Sequence, residues 1–282
     1  MTQPTQQDKA QRFRELHHAR DILILPNAWD VASAKIIEQA GFAAVATTSA
    51  GVAWSLGYPD GERIPRDEML RAVERIARAV DVPVSADLEA GFGETPEAVA
   101  ETMLLAIEAG AVGVNFEDGT SRADAPLRDM ELQIEMIQAI REAAQAAEVP
   151  LVINARTDTY LRGVGDEESR FAETVRRANA YLLAGADCAF VIGLRQREVI
   201  APLVPAIQGP LNILAGAGGP TLPELATMGV RRVSFGSGPM AASLAFLQQL
   251  VNELREPGTY NRLTQSAVNH GAMNHLLAKP EA

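Results

Sequence analysis

Short apolar runs alternate with longer amphipathic stretches along most of the chain. The runs Ile22–Leu25, Ala43–Thr47, Val82–Ala86, Val112–Phe116, Leu151–Ala155, Cys188–Ile192, Leu211–Leu214 and Arg232–Phe235 have strand length and composition. Between them lie helical patterns at Val31–Gln39, Arg66–Val80, Pro96–Ala109, Glu131–Ala146, Glu167–Ala184, Arg197–Ile207, Leu222–Met228 and Pro239–Arg255. In Arg66–Val80 the apolar positions Met69, Leu70, Val73, Ile76, Ala77 and Val80 recur at helical spacing. Eight strand candidates, each followed by a helix candidate, predict one α/β domain with a parallel sheet closed as a (β/α)8 barrel. The barrel spans about 20–256 of a single 1–282 domain. The tail from about 257 to 282 adds helices that pack on their own barrel or reach, swapped, into a neighbouring subunit.

Composition narrows the function. The 282 residues are 47% hydrophobic but only 5% aromatic, so aliphatic side chains must fill the interior, as barrel layers require. The net charge of −11 and the absence of a basic stripe argue against nucleic acid as a partner. No apolar run reaches membrane-spanning length, and the polar start Met1–Lys9 lacks a signal-peptide core. One cysteine, Cys188, permits no intramolecular disulfide. A cytoplasmic protein is expected.

In α/β barrels the chemistry sits at the C-terminal ends of the strands. Asp87 and Glu89 follow the third strand two residues apart, so extended backbone turns both the same way. Glu117 ends the fourth strand, and Asp60 lies in the loop after the second. Gathered together, four carboxylates repel unless protonated or neutralised. Oxygen-only donors suit a hard cation, Mg²⁺ or alternatively Mn²⁺, with one direct carboxylate and the rest bridged by water. The competing explanation is helix capping, which is the expectation for Asp30. Arg156, ending the fifth strand, either grips a substrate carboxylate or bridges Glu117 and Asp158. Thr48, Ser49 and the amides of Ala50-Gly51 offer a second anion contact, or simple turn chemistry. Two glycine-rich loops, 215–220 and 236–238, follow the last two strands and are the main sign of a rival phosphate-binding enzyme.

The stretches Leu25-Pro26-Asn27-Ala28-Trp29-Asp30, Leu56-Gly57-Tyr58-Pro59-Asp60, Ser85–Gly93, Asn115-Phe116-Glu117-Asp118-Gly119 and Ile153–Asp158, with Gly229–Gly236 at the last strand, together resemble the isocitrate lyase/phosphoenolpyruvate mutase superfamily. The resemblance runs from about Leu25 to Gly238, on the short-chain, 2-methylisocitrate-lyase-like or oxaloacetate-decarboxylase-like side. It implies a Mg²⁺-dependent carbon–carbon lyase acting on a 2-oxo or dicarboxylic acid, or a P–C bond enzyme, assembled as a homo-oligomer (dimer or tetramer). It implies Asp87 as direct metal ligand, with Asp60, Glu89 and Glu117 around the ion's waters. Trp29, Thr48, Ser49, Ala50, Arg156 and Asn212 would line the substrate pocket beside Asp87, and Asp60, Arg156 and Glu117 are the catalytic candidates. Lyases of this superfamily carry a Lys-Lys/Arg-Cys-Gly-His type motif after the fourth strand. Here Gly119–Pro126 has no Cys, Lys or His, leaving Thr120, Ser121 and Arg122 as the polar side chains nearest that place. Decarboxylation, which needs an electron sink but no placed base, fits this loop better than classical lyase cleavage. Loss of the loop chemistry also leaves room for a non-catalytic 2-oxo acid binder.

Overall fold

The computed structural model describes residues 4–265 and 268–278. Its strands are β1 (Leu23–Leu25), β2 (Asn27–Ala28), β3 (Val45–Thr47), β4 (Val84–Asp87), β5 (Gly113–Glu117), β6 (Val152–Thr157), β7 (Cys188–Val191), β8 (Leu211–Leu214) and β9 (Arg232–Ser234). All pair in parallel, in the order β1-β9-β8-β7-β6-β5-β4-β3-β2. The predicted strands are all present within a few residues, and the expected α/β barrel is the observed architecture.

One strand is divided. Pro26 has no N–H to give to a ladder, so the first strand splits into β1, paired with β9, and β2, paired with β3. These two halves stand at opposite ends of the strand order, and their adjacency in the chain closes the ring. Asn27 bridges the junction at the upper rim. Its Nδ2 donates to the Thr47 carbonyl at 2.8 Å, and its Oδ1 accepts from the Phe235 and Gly236 amides at 2.8 and 2.9 Å.

The helices are α1 (Gln6–Leu16), α2 (Val31–Gln39), α3 (Ser49–Ser55), α4 (Arg66–Ala79), α5 (Pro96–Glu108), α6 (Met130–Ala146), α7 (Glu167–Leu183), α8 (Arg197–Ala206), α9 (Leu222–Met228), α10 (Gly238–Arg255) and α11 (His270–Leu277). In α4 every apolar position named from the sequence is buried, from Met69 to Ala77, as is Val80 just beyond the helix. Two helices, α1 and α3, were not anticipated. α1 starts at a Thr5–Asp8 capping box and closes the lower end of the barrel. There Lys9 donates to the Val80 carbonyl after α4, Gln6 to Ile107 and Ala111 around the end of α5, and Gln7 to Glu148 after α6. Phe13 and His17 enter the barrel floor fully shielded from solvent.

α10 buries only Met240 and leaves Leu244, Phe246, Leu247, Val251 and Leu254 exposed. The expected helical tail is a 3₁₀ turn at Asn261–Gln265 beside α10, followed by α11, which lies against α2 of its own chain. Among the described residues, no helix is long and apolar enough to cross a membrane.

Candidate active site

The upper rim of the barrel gathers the predicted acids. Asp87 ends β4 and is 8% exposed. Its N–H donates to Thr47 Oγ1 at 2.8 Å, its Oδ2 accepts from the Ser49 amide at 2.9 Å, and its Oδ1 accepts from Asn115 Nδ2 at 3.4 Å. Glu89 follows with φ +52, a left-handed conformation that a side chain other than glycine rarely takes. That turn carries its carboxylate inward. Oε2 accepts from the Glu62 amide at 2.8 Å, while Oε1 is buried without a partner. A buried unpaired carboxylate oxygen is costly, and such groups cluster at functional sites. Burial, then the charges of Asp87 and Asp60, push the Glu89 carboxyl up to about 8.

Glu117 ends β5, with its N–H donating to the Glu89 carbonyl at 2.9 Å. Burial raises its carboxyl well above the ordinary range against the pull of Arg156. Asp60 is the most open of the four, and partial burial followed by Asp87 raises it too. The Ser49 hydroxyl and Arg156 hold it back. Among the described residues no three Asp, Glu, His or Cys side chains stand ready as direct ligands of one ion. The acids are neighbours in charge rather than a closed cage, which suits a cation that keeps its waters.

Arg156 forms the bridge that was one of its two expected roles. Its Nη1 lies 2.5 Å from Glu117 Oε2, and its Nε and Nη2 donate to Asp158 at 2.7 and 3.1 Å. Asp158 is held in turn by its own N–H, which donates to Asp118 Oδ1 at 2.8 Å. Asp118 Oδ2 accepts from Tyr181 Oη at 2.7 Å and from Arg177 Nη1 at 3.2 Å. The guanidinium is therefore fixed before any ligand arrives.

The remaining sequence candidates take other places in the fold. Thr48 caps α3, accepting from the Gly51 amide, and Ser49 and Ala50 open that helix with little exposure. The Ser49 amide is already committed to Asp87. Half-buried Trp29 packs so close to Gly51 that a Cβ there would lie 3.0 Å from Trp29 Cβ. Asn212 is fully buried, with Nδ2 donating to Ser234 Oγ at 3.3 Å. Asp30 caps α2 through the Ser33 amide, as expected. At the loop 215–220 the following helix, α9, has its N-terminus filled by the Thr221–Glu224 capping box. A carboxylate thus occupies the place where a phosphate would dock.

Beside Glu89 and Glu117 opens a cleft of ≈ 990 Å³, walled by Phe92, Thr120, Ser121, Arg122 and Arg128. The loop between Gly119 and Leu127 folds on itself: Thr120 N–H donates to the Pro126 carbonyl at 3.0 Å and Thr120 Oγ1 to the Ala125 carbonyl. Thr120, Ser121 and Arg122, the polar side chains of this loop, thus face the cleft.

Below the rim lies a polar layer that the sequence reading missed: Ser85, Asn115, Asn154 and Arg232, all buried. The signal was present as a period of two, Ser85-Ala86-Asp87, Asn115-Phe116-Glu117 and Asn154-Ala155-Arg156-Thr157-Asp158. Alternate residues of a strand share a face, so these polar groups line the inside of the barrel beneath the acids.

The family model described as phosphoenolpyruvate phosphomutase matches residues 13–255. The chain belongs to this family. A Burkholderia cenocepacia J2315 protein, solved as a candidate lyase/mutase, is 41% identical over 98% of both chains with a TM-score of 0.90. A 2-methylisocitrate lyase of Bacillus subtilis is 31% identical, covering 74% of this chain and 68% of its own. Oxaloacetate acetylhydrolase, solved with its product oxalate, is 25% identical with a TM-score of 0.84, covering 95% and 93% of the two chains. The chain is thus a member of the isocitrate lyase/phosphoenolpyruvate mutase superfamily and an enzyme of its carbon–carbon lyase type, in a group whose members act on small acids.

Proposed function

We propose that the chain is a Mg²⁺-dependent lyase that breaks a carbon–carbon bond in a small 2-oxo acid or its adduct, with decarboxylation as the best-fitting reaction. The observation that carries this reading is the buried, unpartnered Glu89 Oε1 beside Asp87, in a group of acids whose charges oppose one another. An all-oxygen donor set of this kind fits a hard divalent cation. Asp87 would hold it directly, and Asp60, Glu89 and Glu117 through its waters. When bound, Mg²⁺ supplies Lewis-acid stabilisation of negative charge on the keto oxygen of a 2-oxo acid.

The chain's own residues do the rest. Arg156, locked by Glu117 and Asp158, presents a fixed positive charge at the rim for a substrate carboxylate. Thr47 and the Ser49 amide keep Asp87 in one orientation. In decarboxylation the C3–C4 bond breaks, CO₂ leaves, and the electron pair moves into the 2-oxo group. A proton from water then restores C3. The Gly119–Pro126 loop offers no Cys, Lys or His as a general base, and this reaction requires none. The relatives' reactions on methylisocitrate and oxaloacetate support the substrate class. The exposed apolar face of α10 supports a homo-oligomer, dimer or tetramer, with light scattering as its check.

The test is incubation with oxaloacetate, 2-methylisocitrate, isocitrate and phosphonopyruvate, each with Mg²⁺ and with EDTA. Pyruvate from oxaloacetate only with Mg²⁺, abolished in Asp87→Ala, is expected. Undiminished turnover in Asp87→Ala would sink the assignment, and phosphate from phosphonopyruvate alone would move it to P–C chemistry. Saturable binding of a 2-oxo acid without product from any compound would make the protein a binder.

A further inference from the structure

We propose that Asn115 is a positioning residue for Asp87, held in its working orientation by Arg232 and Asn154. The inference rests on the reading of Asp87 as the metal ligand.

The three side chains share the barrel interior by register. Asp87 pairs with Asn115 across β4 and β5, and Asn115 with Asn154 across β5 and β6. Paired residues of parallel strands project to the same side. Asn115 is 7% exposed, and Asn154 and Arg232 are fully buried. Asn115 Nδ2 donates to Asp87 Oδ1 at 3.4 Å. Asn115 Oδ1 accepts from Asn154 Nδ2 at 2.5 Å and from Arg232 Nη2 at 3.4 Å.

Donor and acceptor chemistry leaves the Asn115 amide one choice. Arginine can only donate, and an ionised carboxylate can only accept. The oxygen of Asn115 must therefore face Arg232 and its nitrogen Asp87. Asn154 must then present its own nitrogen to that oxygen, and its Oδ1 is left buried without a partner. That unpaired atom is what this orientation demands. Reversing both amides would set an oxygen against Asp87 and an N–H against the guanidinium. Among the described residues the hydrogen-bond partners of the Arg232 side chain are the neutral groups of His17, Ser85 and Asn115. Its Nη2 also approaches Ser85 Oγ at 3.5 Å, and its charge lies over the Phe13 ring, 5.8 Å from the centroid. A buried charge held this way acts as an orienting clamp on Asn115. With the Ser49 amide on Oδ2, the clamp pins both oxygens of Asp87 and limits rotation of its carboxylate. Groups that orient a ligand in this way are worth about 10–100-fold in metal affinity.

The experiment measures binding of Mn²⁺ alone by the EPR signal of the free ion, together with Tm, for wild type, Asp87→Ala, Asn115→Leu and Asn154→Leu. Asn115→Leu should bind Mn²⁺ about 10–100-fold more weakly. Asn154→Leu should lose affinity in the same direction by a smaller factor, with its cooperative melting kept. A merely structural role would shift Tm and leave the Mn²⁺ affinity of the folded protein unchanged. Wild-type affinity in both variants, with Asp87→Ala impaired, overturns the positioning role and spares the metal reading. If wild type itself binds no Mn²⁺, or Asp87→Ala binds as tightly, the metal reading fails and the inference falls with it. Should Asn115→Leu not fold, Asn154→Leu decides alone: unchanged affinity there overturns the role.

Discussion

Nη1 of Arg232 lies 3.3 Å from Nε2 of His17, and both residues are shut away from solvent in the barrel floor. His17 Nδ1 is 2.8 Å from the Phe13 carbonyl, so Nδ1 carries the hydrogen and Nε2 accepts from the guanidinium. Protonating this imidazole would bury a second cation against the first. Burial, then Arg232, push His17 down to about 3. The unfolded chain, with an ordinary histidine near 6.5, binds a proton that the folded protein refuses. Stability is therefore fully present above pH 6.5 and falls as pH drops toward 3, by about 1.4 kcal/mol per pH unit. Urea unfolding between about pH 6 and 5 should show this extra slope in wild type and lose it in His17→Gln. Equal slopes would refute it.

Glu89 works in the opposite sense. Its folded carboxyl is pushed up to about 8 from 4.5, chiefly by burial and then by Asp87 and Asp60. Between those values the folded, metal-free protein holds a proton that the unfolded chain has released. This contribution to stability falls as pH rises through the window. A cation reverses the balance by favouring the ionised acid and expelling the proton. The Tm increase caused by Mg²⁺ should be larger at pH 8 than at pH 6, and calorimetry in buffers of different ionisation enthalpy should detect proton release that Glu89→Gln lacks. Identical Tm increases at both pH values would count against it.

Arg156 reaches two acids at once, Glu117 through Nη1 and Asp158 through Nε and Nη2. Lysine has one compact ammonium and cannot span both. Arg156→Lys should fold and lose kcat/KM by on the order of 100-fold, the usual effect of misplacing a catalytic group by an ångström. Steady-state kinetics on the substrate that proves active would test this, and near-wild-type efficiency would show that the bridge is dispensable.

Gly113 faces the ring that α1 inserts into the floor. A Cβ at this position would come within 2.5 Å of Phe13 Cε1. Phe13 is fully buried and has nowhere to retreat. Gly113→Ala should cost about 1–3 kcal/mol through overpacking. A thermal melt reads the loss, and an unchanged Tm would mean that α1 shifts freely.

The chain's architecture could be read from period and spacing because parallel strands buried on both faces write continuous apolar runs between amphipathic helices. Strand ends led to Asp60, Asp87, Glu89, Glu117 and Arg156 for the same reason, since barrel chemistry has a fixed address. Other features were hidden. The helix α3 starts inside Thr48-Ser49-Ala50-Gly51, which reads locally as a turn; its Thr48 cap is a local contact, but its packing against Trp29 is a tertiary fact. Helix α1 carries a mostly polar sequence: it buries only Ala10 and Phe13, and its Gln6, Gln7 and Lys9 side chains reach carbonyls at the bottom of neighbouring helices. Arg232, in an apolar strand, reads as a surface charge until the barrel closes around it. Asn115 and Asn154 were visible only as polar residues repeating every second position, a pattern whose meaning depends on knowing which face turns inward.

The junction at Pro26 gives the barrel two unequal levels. Below it, β1 and β9 are zipped by backbone hydrogen bonds that any sequence could make. Above it, one amide side chain, Asn27, grips Thr47 on one flank and Phe235 and Gly236 on the other. The upper level keeps a backbone ladder toward β3, and toward the end of β9 it is fastened by the Asn27 side chain. A substitution at position 27 should therefore open the seam between β2 and the end of β9 at the rim while the β1–β9 ladder keeps the base shut.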